Sequence, residues 1–165
     1  MGNQFLKTAV SLYSGGGGLD IGFHSAGFKT VFATDSEPTA CETLRANNLA
    51  DQIYEGPIED IEDRVFSDIV KSYPGGIDVL IGGPPCPAYS KSRFYLKDKP
   101  QGKNDPSFST VEHYFRVLGI IRPKFFIMEN VQTFAAKRQQ GALEYVLESS
   151  SKLGYEFEWR ILNAV

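Results

Sequence analysis

Histidine and cysteine are scarce in this 165-residue chain, which has only His24, His113, Cys41 and Cys86. Four such residues, scattered rather than clustered, do not make a zinc site, and no metal is expected. A Cys41–Cys86 disulfide is disfavoured in a chain that looks cytosolic. No apolar run is long enough to cross a bilayer. The start, Met1-Gly-Asn-Gln-Phe5, lacks the basic region and apolar stretch of a signal peptide. The expected location is therefore the cytoplasm, with no membrane partner. A net charge of -3 gives no global basic field of the kind that marks many nucleic-acid binders. Internal repeats, linkers and low-complexity segments are also missing. With 42% apolar residues, the chain reads as one globular domain over residues 1–165.

Glycine and proline are what the chain has at the places that matter. The stretch Asp78-Val-Leu-Ile-Gly-Gly-Pro-Pro-Cys86-Pro-Ala-Tyr-Ser90 opens as a buried strand and is stopped by two glycines and two prolines. Gly82 and Gly83 let a ligand approach the backbone. Pro84, Pro85 and Pro87 hold Cys86 in a stiff frame. Such a frame either aims a thiol or is a rigid turn around a small buried hydrophobe.

Upstream, Thr8 to Tyr13 reads as a strand that runs into Ser14-Gly-Gly-Gly-Gly18 and then a helix over Leu19 to Ala26. A strand, a glycine turn and a helix make a nucleotide-binding corner, because the turn bares its backbone and the helix start offers free N–H groups. A second strand, Lys29 to Ala33, leads to Asp35, at the interval where an acid meets a ribose hydroxyl in such folds. The alternative is a plain glycine turn and an exposed carboxylate.

Further along, Pro38 suits the first turn of a helix that ends at Asn47-Asn48, and Ile53-Tyr54 makes a short third strand. Ile61, Val65 and Ile69 recur as one helical face, which Pro74-Gly-Gly76 closes. The segment Ser90 to Pro106 carries Lys91, Arg93, Lys97, Lys99 and Lys103 against Asp98 and Asp105. It reads as a solvated loop, as a loop that orders on a polyanion, or as both. Val111, Phe115 and Leu118 mark a helix closed by Pro123. Lys124 to Met128 is a fifth strand, with Glu129-Asn-Val131 at its end. Leu143, Val146 and Leu147 mark another helix, and the rough alternation of Tyr155 to Leu162 predicts a sixth strand.

Strands alternating with helices predict an α/β fold: a doubly wound, mainly parallel sheet with ligands at the carboxyl ends of its strands. That topology gathers Gly15, Asp35, Cys86 and Glu129 on one edge. No histidine lies near Cys86 to serve as its base, which argues against hydrolase chemistry. A thiolate beside a glutamate partly shielded from water suits addition to an electron-poor ring, with the acid neutralising charge on a ring nitrogen.

The blocks Leu12-Tyr-Ser-Gly-Gly-Gly-Gly-Leu-Asp20, Gly82-Gly-Pro-Pro-Cys-Pro-Ala-Tyr-Ser90 and Glu129-Asn-Val131 stand in the order found in the DNA cytosine-5 methyltransferases, which the chain resembles from about Ala9 onward. The resemblance implies a Rossmann-like fold for S-adenosylmethionine, the expected cofactor. It places Tyr13 against the adenine, Gly15, Gly16, Gly17 and Gly18 near the methionine end, and Asp35 on the ribose. Ser36 stands where a larger side chain often packs on the adenine, and Ile58 also belongs to the implied cofactor set. Cys86 would add to C6 of a flipped-out cytosine in double-stranded DNA. Glu129 would protonate N3, Asn130 would help hold the site, and the Pro85 carbonyl would accept from the exocyclic amine. Ser90, Lys91 and Arg93 complete the expected substrate contacts.

This chain departs from the family at Pro87, where glutamine is usual, at Pro57, where an acid is common, and at Ser107-Phe108, where Arg-Gly is common. The family also continues into an arginine-rich block, a target-recognition region and a closing helix. Their absence implies a fold incomplete at its C-terminus, with the remainder carried by further chain or by a second polypeptide. The implied setting is restriction-modification, nucleoid-associated in a bacterium. A tRNA cytosine-5 methyltransferase and a non-catalytic subunit of a split methyltransferase are the alternatives, and a nicotinamide-dependent oxidoreductase is a more distant one.

Overall fold

A computed structural model describes residues 7–85, 108–135 and 140–163. The chain divides into two compact units, one formed by Met1–Pro84 with Arg116–Glu129 and the other by Pro85–Phe115 with Asn130–Val165.

The first unit is built on a five-stranded sheet. Its strands are β1 (Lys7–Leu12), β2 (Phe28–Asp35), β3 (Gln52–Glu55), β4 (Val79–Gly82) and β5 (Phe125–Met128). They lie in the order β3-β2-β1-β4-β5, and every neighbouring pair is parallel. β4 is an apolar run buried along its whole length, and β1 is buried from Ala9 to Leu12, because central parallel strands are covered on both faces. Helices α1 (Gly18–Ser25), α2 (Pro38–Ala46), α3 (Asp63–Ser72) and α4 (Ser109–Ile121) make the crossovers.

The pairing of β1 with β2 contains a bulge. Ala9 faces Thr30 but Val10 faces Phe32, so Val31 has no opposite number. An extra residue reverses the alternation of side chains beyond it. Phe28 therefore packs with Ala9, Val79 and Ile81 under Leu19 and Phe23 of α1. Past the bulge, Ala33 returns to that face and meets Leu44 of α2. Phe32 turns to the other face and stacks edge-on against Phe66 of α3, with ring centroids 5.8 Å apart. The sheet is thus doubly wound.

In the second unit, Phe108 and Phe115 close edge-on around Tyr145 of α5 (Gln140–Lys152), at 5.1 and 5.8 Å. Tyr114 and Val146 are fully buried there. The sixth strand expected over Tyr155 to Leu162 is not formed, and the chain is irregular through that stretch. A strand needs a ladder partner for its backbone groups, and none of the described strands pairs with it. Its alternation does not mark a buried face either, since Trp159, Ile161 and Leu162 are 49%, 59% and 87% exposed.

Candidate functional site

Strand order reverses between β1 and β4, and the carboxyl ends beside that point are where such sheets hold ligands. β1 ends at Leu12. Tyr13 follows with φ 52°, Gly15 with φ 52° and Gly17 with φ 87°, so the chain coils tightly before α1. The turn closes with a hydrogen bond from the Gly17 N–H to the Ser14 carbonyl at 2.9 Å.

The four glycines of the turn have different reasons to be glycine. A Cβ on Gly17 would stand 2.2 Å from Leu49 Cδ1, so Gly17 is required by packing. A Cβ on Gly15 or Gly18 would meet nothing within 4 Å. Open space therefore lies over the bare backbone at those two positions, which suits close approach of a ligand. Gly16 is exposed, and its built Cβ makes only ordinary contact with Thr43.

Asp35, half-buried at the end of β2, accepts from the Gly15 N–H at 2.8 Å through one carboxylate oxygen and from the Glu37 N–H at 2.9 Å through the other. Two N–H donors leave other lone pairs of the carboxylate available. Open backbone at Gly15 and Gly18 beside an oriented acceptor at Asp35 fits a cofactor that carries a sugar hydroxyl. Ser36 is exposed next to it. Ile58 is only 4% exposed and its side chain belongs to the core, so what it offers a ligand is chiefly main chain. Tyr13 is half-buried, and its hydroxyl is pushed well above the ordinary tyrosine range by burial and by Glu59, against an opposing effect of Arg116.

A buried polar network beneath the glycine turn had no place in the sequence reading. Ser14 donates to Ser11 at 2.8 Å, Ser11 donates to Asp20 at 3.0 Å, and Thr30 donates to the other Asp20 oxygen at 2.9 Å. Asp20 and Ser11 are 0% exposed. Burial pushes the Asp20 carboxyl up, partly offset by the hydrogen bonds from Thr30 and Ser11. The network pins the turn to α1 and to two strands. The one sequence signal for it was a lone acid among the apolar residues of the first turn of α1.

At the end of β5, the Glu129 N–H donates to the Gly82 carbonyl at 2.9 Å. Its side chain lies over Gly83, where a built Cβ would come within 3.2 Å of Oε2. A side chain at Gly83 would thus crowd the Glu129 carboxylate by a few tenths of an ångström. Glu129 is exposed, and the partial shielding expected of it is not present among the described residues. Asn130 folds back so that its Oδ1 accepts from the Val131 N–H at 2.9 Å. The Pro85 carbonyl, expected to accept from a substrate amine, accepts from the Thr110 hydroxyl at 2.8 Å. A carbonyl has a second lone pair for a further donor. Phe108, at one of the departures from the family pattern, is a core residue 3% exposed.

Cys86, Ser90, Lys91 and Arg93 lie outside the described residues, as does the rest of the basic segment. Among the described residues, no cluster of three or more His, Cys, Asp or Glu could hold a metal ion, and no helix is long and apolar enough to cross a membrane.

Residues 7–165 match the family described as C-5 cytosine-specific DNA methylase. The chain is 37% identical to the Type II methyltransferase M.AquIA of Picosynechococcus sp., an alignment covering 96% of this chain and 65% of the relative. It is 36% identical to the Type II methyltransferase M.FnuDI of Fusobacterium nucleatum, covering 94% of this chain and 41% of the relative. The chain thus spans about two fifths to two thirds of the length of these relatives. Among solved structures, an E. coli prophage-encoded protein described as a DNA modification methyltransferase superposes with a TM-score of 0.68 at 22% identity, covering 88% of this chain and 38% of that one. DNMT2 of Spodoptera frugiperda superposes with a TM-score of 0.61 at 19% identity, covering 87% and 41%. The fold is the Rossmann-like one of S-adenosylmethionine-dependent methyltransferases.

Proposed function

Because the chain belongs to the C-5 cytosine-specific DNA methylase family, we propose that it is the cofactor-binding and catalytic part of an enzyme that methylates C5 of cytosine in DNA. The observation that carries the reading is the convergence on one sheet edge of the open glycine turn, the oriented Asp35 carboxylate and Glu129. In this reading the backbone of Gly15, Gly16, Gly17 and Gly18 cradles S-adenosylmethionine. Asp35 accepts from its ribose, and Tyr13, Ser36 and the turn at Ile58 flank its base. When bound, this cofactor supplies the electrophilic methyl group.

The chain's own residues prepare the acceptor. Cytosine must leave the DNA stack for its ring to be reached. The Cys86 thiolate forms a bond to C6, and the electron pair of the C5–C6 double bond moves toward C5. Glu129 gives a proton to N3, so no full negative charge develops on the ring. Asn130 holds the site, and the Pro85 carbonyl accepts from the exocyclic amine through its free lone pair. Once C5 carries the methyl group, its proton departs to a base. The sulfur–C6 bond then breaks as N3 returns its proton to Glu129, regenerating the thiolate, the C5–C6 double bond and the acid. Ser90, Lys91 and Arg93 would contact the DNA beside the flipped base.

The portion of the relatives that this chain does not span would supply target recognition, from further chain or from a second polypeptide. The expected setting is a cytoplasmic, nucleoid-associated restriction-modification enzyme.

DNA containing 5-fluorocytosine tests the chemistry, because fluorine at C5 cannot leave as a proton does and the covalent adduct persists. With the complementary portion present, the wild type should form the adduct. Cys86→Ser should not, because a hydroxyl is far less ionised than a thiol at neutral pH. Normal trapping by the serine variant would remove Cys86 from the mechanism.

A further inference from the structure

Arg116 is absent from every motif, yet among the described residues it makes a dense set of long-range polar contacts. From α4 its guanidinium donates to the Ile58 carbonyl at 2.9 Å and to the Ile61 carbonyl at 3.2 Å. It also pairs with the Asp63 carboxylate at the start of α3. The same group lies over the Phe66 ring, 5.8 Å from its centroid. Phe66 in turn stacks on Phe32 of β2, the strand that ends at Asp35. The Arg116 side chain is 26% exposed, so these bonds are partly sheltered from water.

The grip falls on one loop. Ile58–Asp60 is a single 3-10 turn between β3 and α3, and the carbonyls of its first residue and of Ile61 just past it are both held. The loop is also tied to the cofactor edge, since the Gly56 N–H donates to the Asp35 carbonyl at 3.0 Å. Tyr13, at the end of β1, feels both Glu59 of this turn and Arg116 electrostatically. The arginine thus holds a turn that is joined through Gly56 to the strand end at Asp35.

We propose that Arg116 is a positioning residue for the cofactor site: its fork sets the Ile58–Asp60 turn, which is tied to the end of β2, and thereby the affinity for the nucleoside half of the cofactor. The inference rests on the cofactor reading given above. Two carbonyls, a carboxylate and a ring face are matched by a planar five-donor group, which lysine cannot reproduce at the same charge. Arg116→Lys is therefore the informative change, because it keeps the charge and loses the fork.

The experiment is calorimetric titration of the 165-residue protein with S-adenosylhomocysteine, well below its melting temperature. It compares the wild type, Arg116→Lys, Arg116→Met and the α3 core variant Ile69→Val. Ile69 is 7% exposed and outside the cofactor edge, so its variant reports on loss of stability alone. The expected result is a Kd raised about tenfold in both Arg116 variants, on the order of one lost charge-assisted hydrogen bond, with the Kd of Ile69→Val unchanged at a comparable fall in Tm. A Kd within about twofold of wild type in Arg116→Lys, no more than about a third of the predicted free-energy loss, would overturn the inference and leave the cofactor reading intact. A Kd that tracks Tm across all variants, Ile69→Val included, would also overturn it, because the arginine would then be a structural strap only. Absence of binding by the wild type refutes the cofactor reading itself and removes the basis of the inference with it.

Discussion

Replacing the glycines of the β1–α1 turn one at a time should separate backbone conformation from packing. Gly17→Ala forces an L side chain into φ 87° and drives a methyl group to 2.2 Å from Leu49 Cδ1 and 3.0 Å from Leu44 Cδ2. The left-handed conformation costs about 1–2 kcal/mol for a residue with a Cβ. The overlap adds about 1–3 kcal/mol of overpacking. Leu49 Cδ1 is the far end of a flexible side chain, but Leu49 and Leu44 pack with Ala33 in one buried cluster, so neither swings clear without leaving a gap elsewhere. The sum, about 2–5 kcal/mol, is a large share of the 5–15 kcal/mol that is roughly typical of a domain. Gly15→Ala carries the conformational part alone, since φ is 52° and nothing lies within 4 Å, and should cost about 1–2 kcal/mol. Gly16→Ala and Gly18→Ala carry neither penalty and should fall within about 0.5 kcal/mol of wild type. Urea unfolding followed by circular dichroism, with unchanged m-values, gives the ranking. Equal losses at Gly16 and Gly17, or a Gly17→Ala protein as stable as wild type, would refute the reasoning. Cofactor titration of the same variants should invert the order at one position. Gly18→Ala, stable but with a methyl group in the open space over the turn, should bind more weakly.

Three further expectations follow from charge. The Asp20 carboxyl titrates above its ordinary range in the folded protein, so the fold favours its protonated form. Its contribution is fully present below the unfolded-state pKa and is lost as pH rises through the raised folded value. Asp20→Asn should therefore gain stability relative to wild type as pH rises from about 4; a pH-independent difference in urea midpoint would contradict this. Asp35→Ala strips the acceptors from the Gly15 and Glu37 N–H groups and should cost about 1–3 kcal/mol. Asp35→Asn, which keeps one acceptor, should fall between it and wild type in both stability and S-adenosylhomocysteine affinity. Neutralising Lys91, Arg93 and Lys97 together should weaken DNA binding by the complemented enzyme and reduce the slope of log affinity against log salt by about 3, and an unchanged slope would show that the segment does not touch phosphates.

What was legible in the sequence and what was not divides along physical lines. The five parallel strands read correctly to within a residue or two, because short apolar runs closed by turn residues, such as Val79-Leu-Ile81 and Phe125-Phe-Ile127, have few other uses. The bulge at Val31 was illegible for the same reason. In Val31-Phe-Ala33 every residue is apolar, so no alternation betrays the change of face that sends Phe32 to α3 and Ala33 to α2. The expected sixth strand failed on the opposite count, since it alternates without a neighbour among the described strands, and a ladder is a property of two segments that one segment cannot announce.

The site followed the same rule. Gly15 and Asp35 stand out in the sequence because glycine at a tight turn and an acid at a strand end are local signals, and a 2.8 Å hydrogen bond joins the two in the fold. Arg116 was missed because its partners are main-chain carbonyls 55 and 58 residues upstream, and a carbonyl leaves no mark in a sequence. On an amphipathic helix such an arginine looks like one more solvated charge. Asp20 hid in a similar way, beside hydroxyls at Ser11 and Thr30 that read as ordinary strand residues. Motifs reveal the groups that touch a ligand, because their chemistry restricts residue type. The groups that hold those in place are restricted by geometry alone, and appear only when the chain is folded.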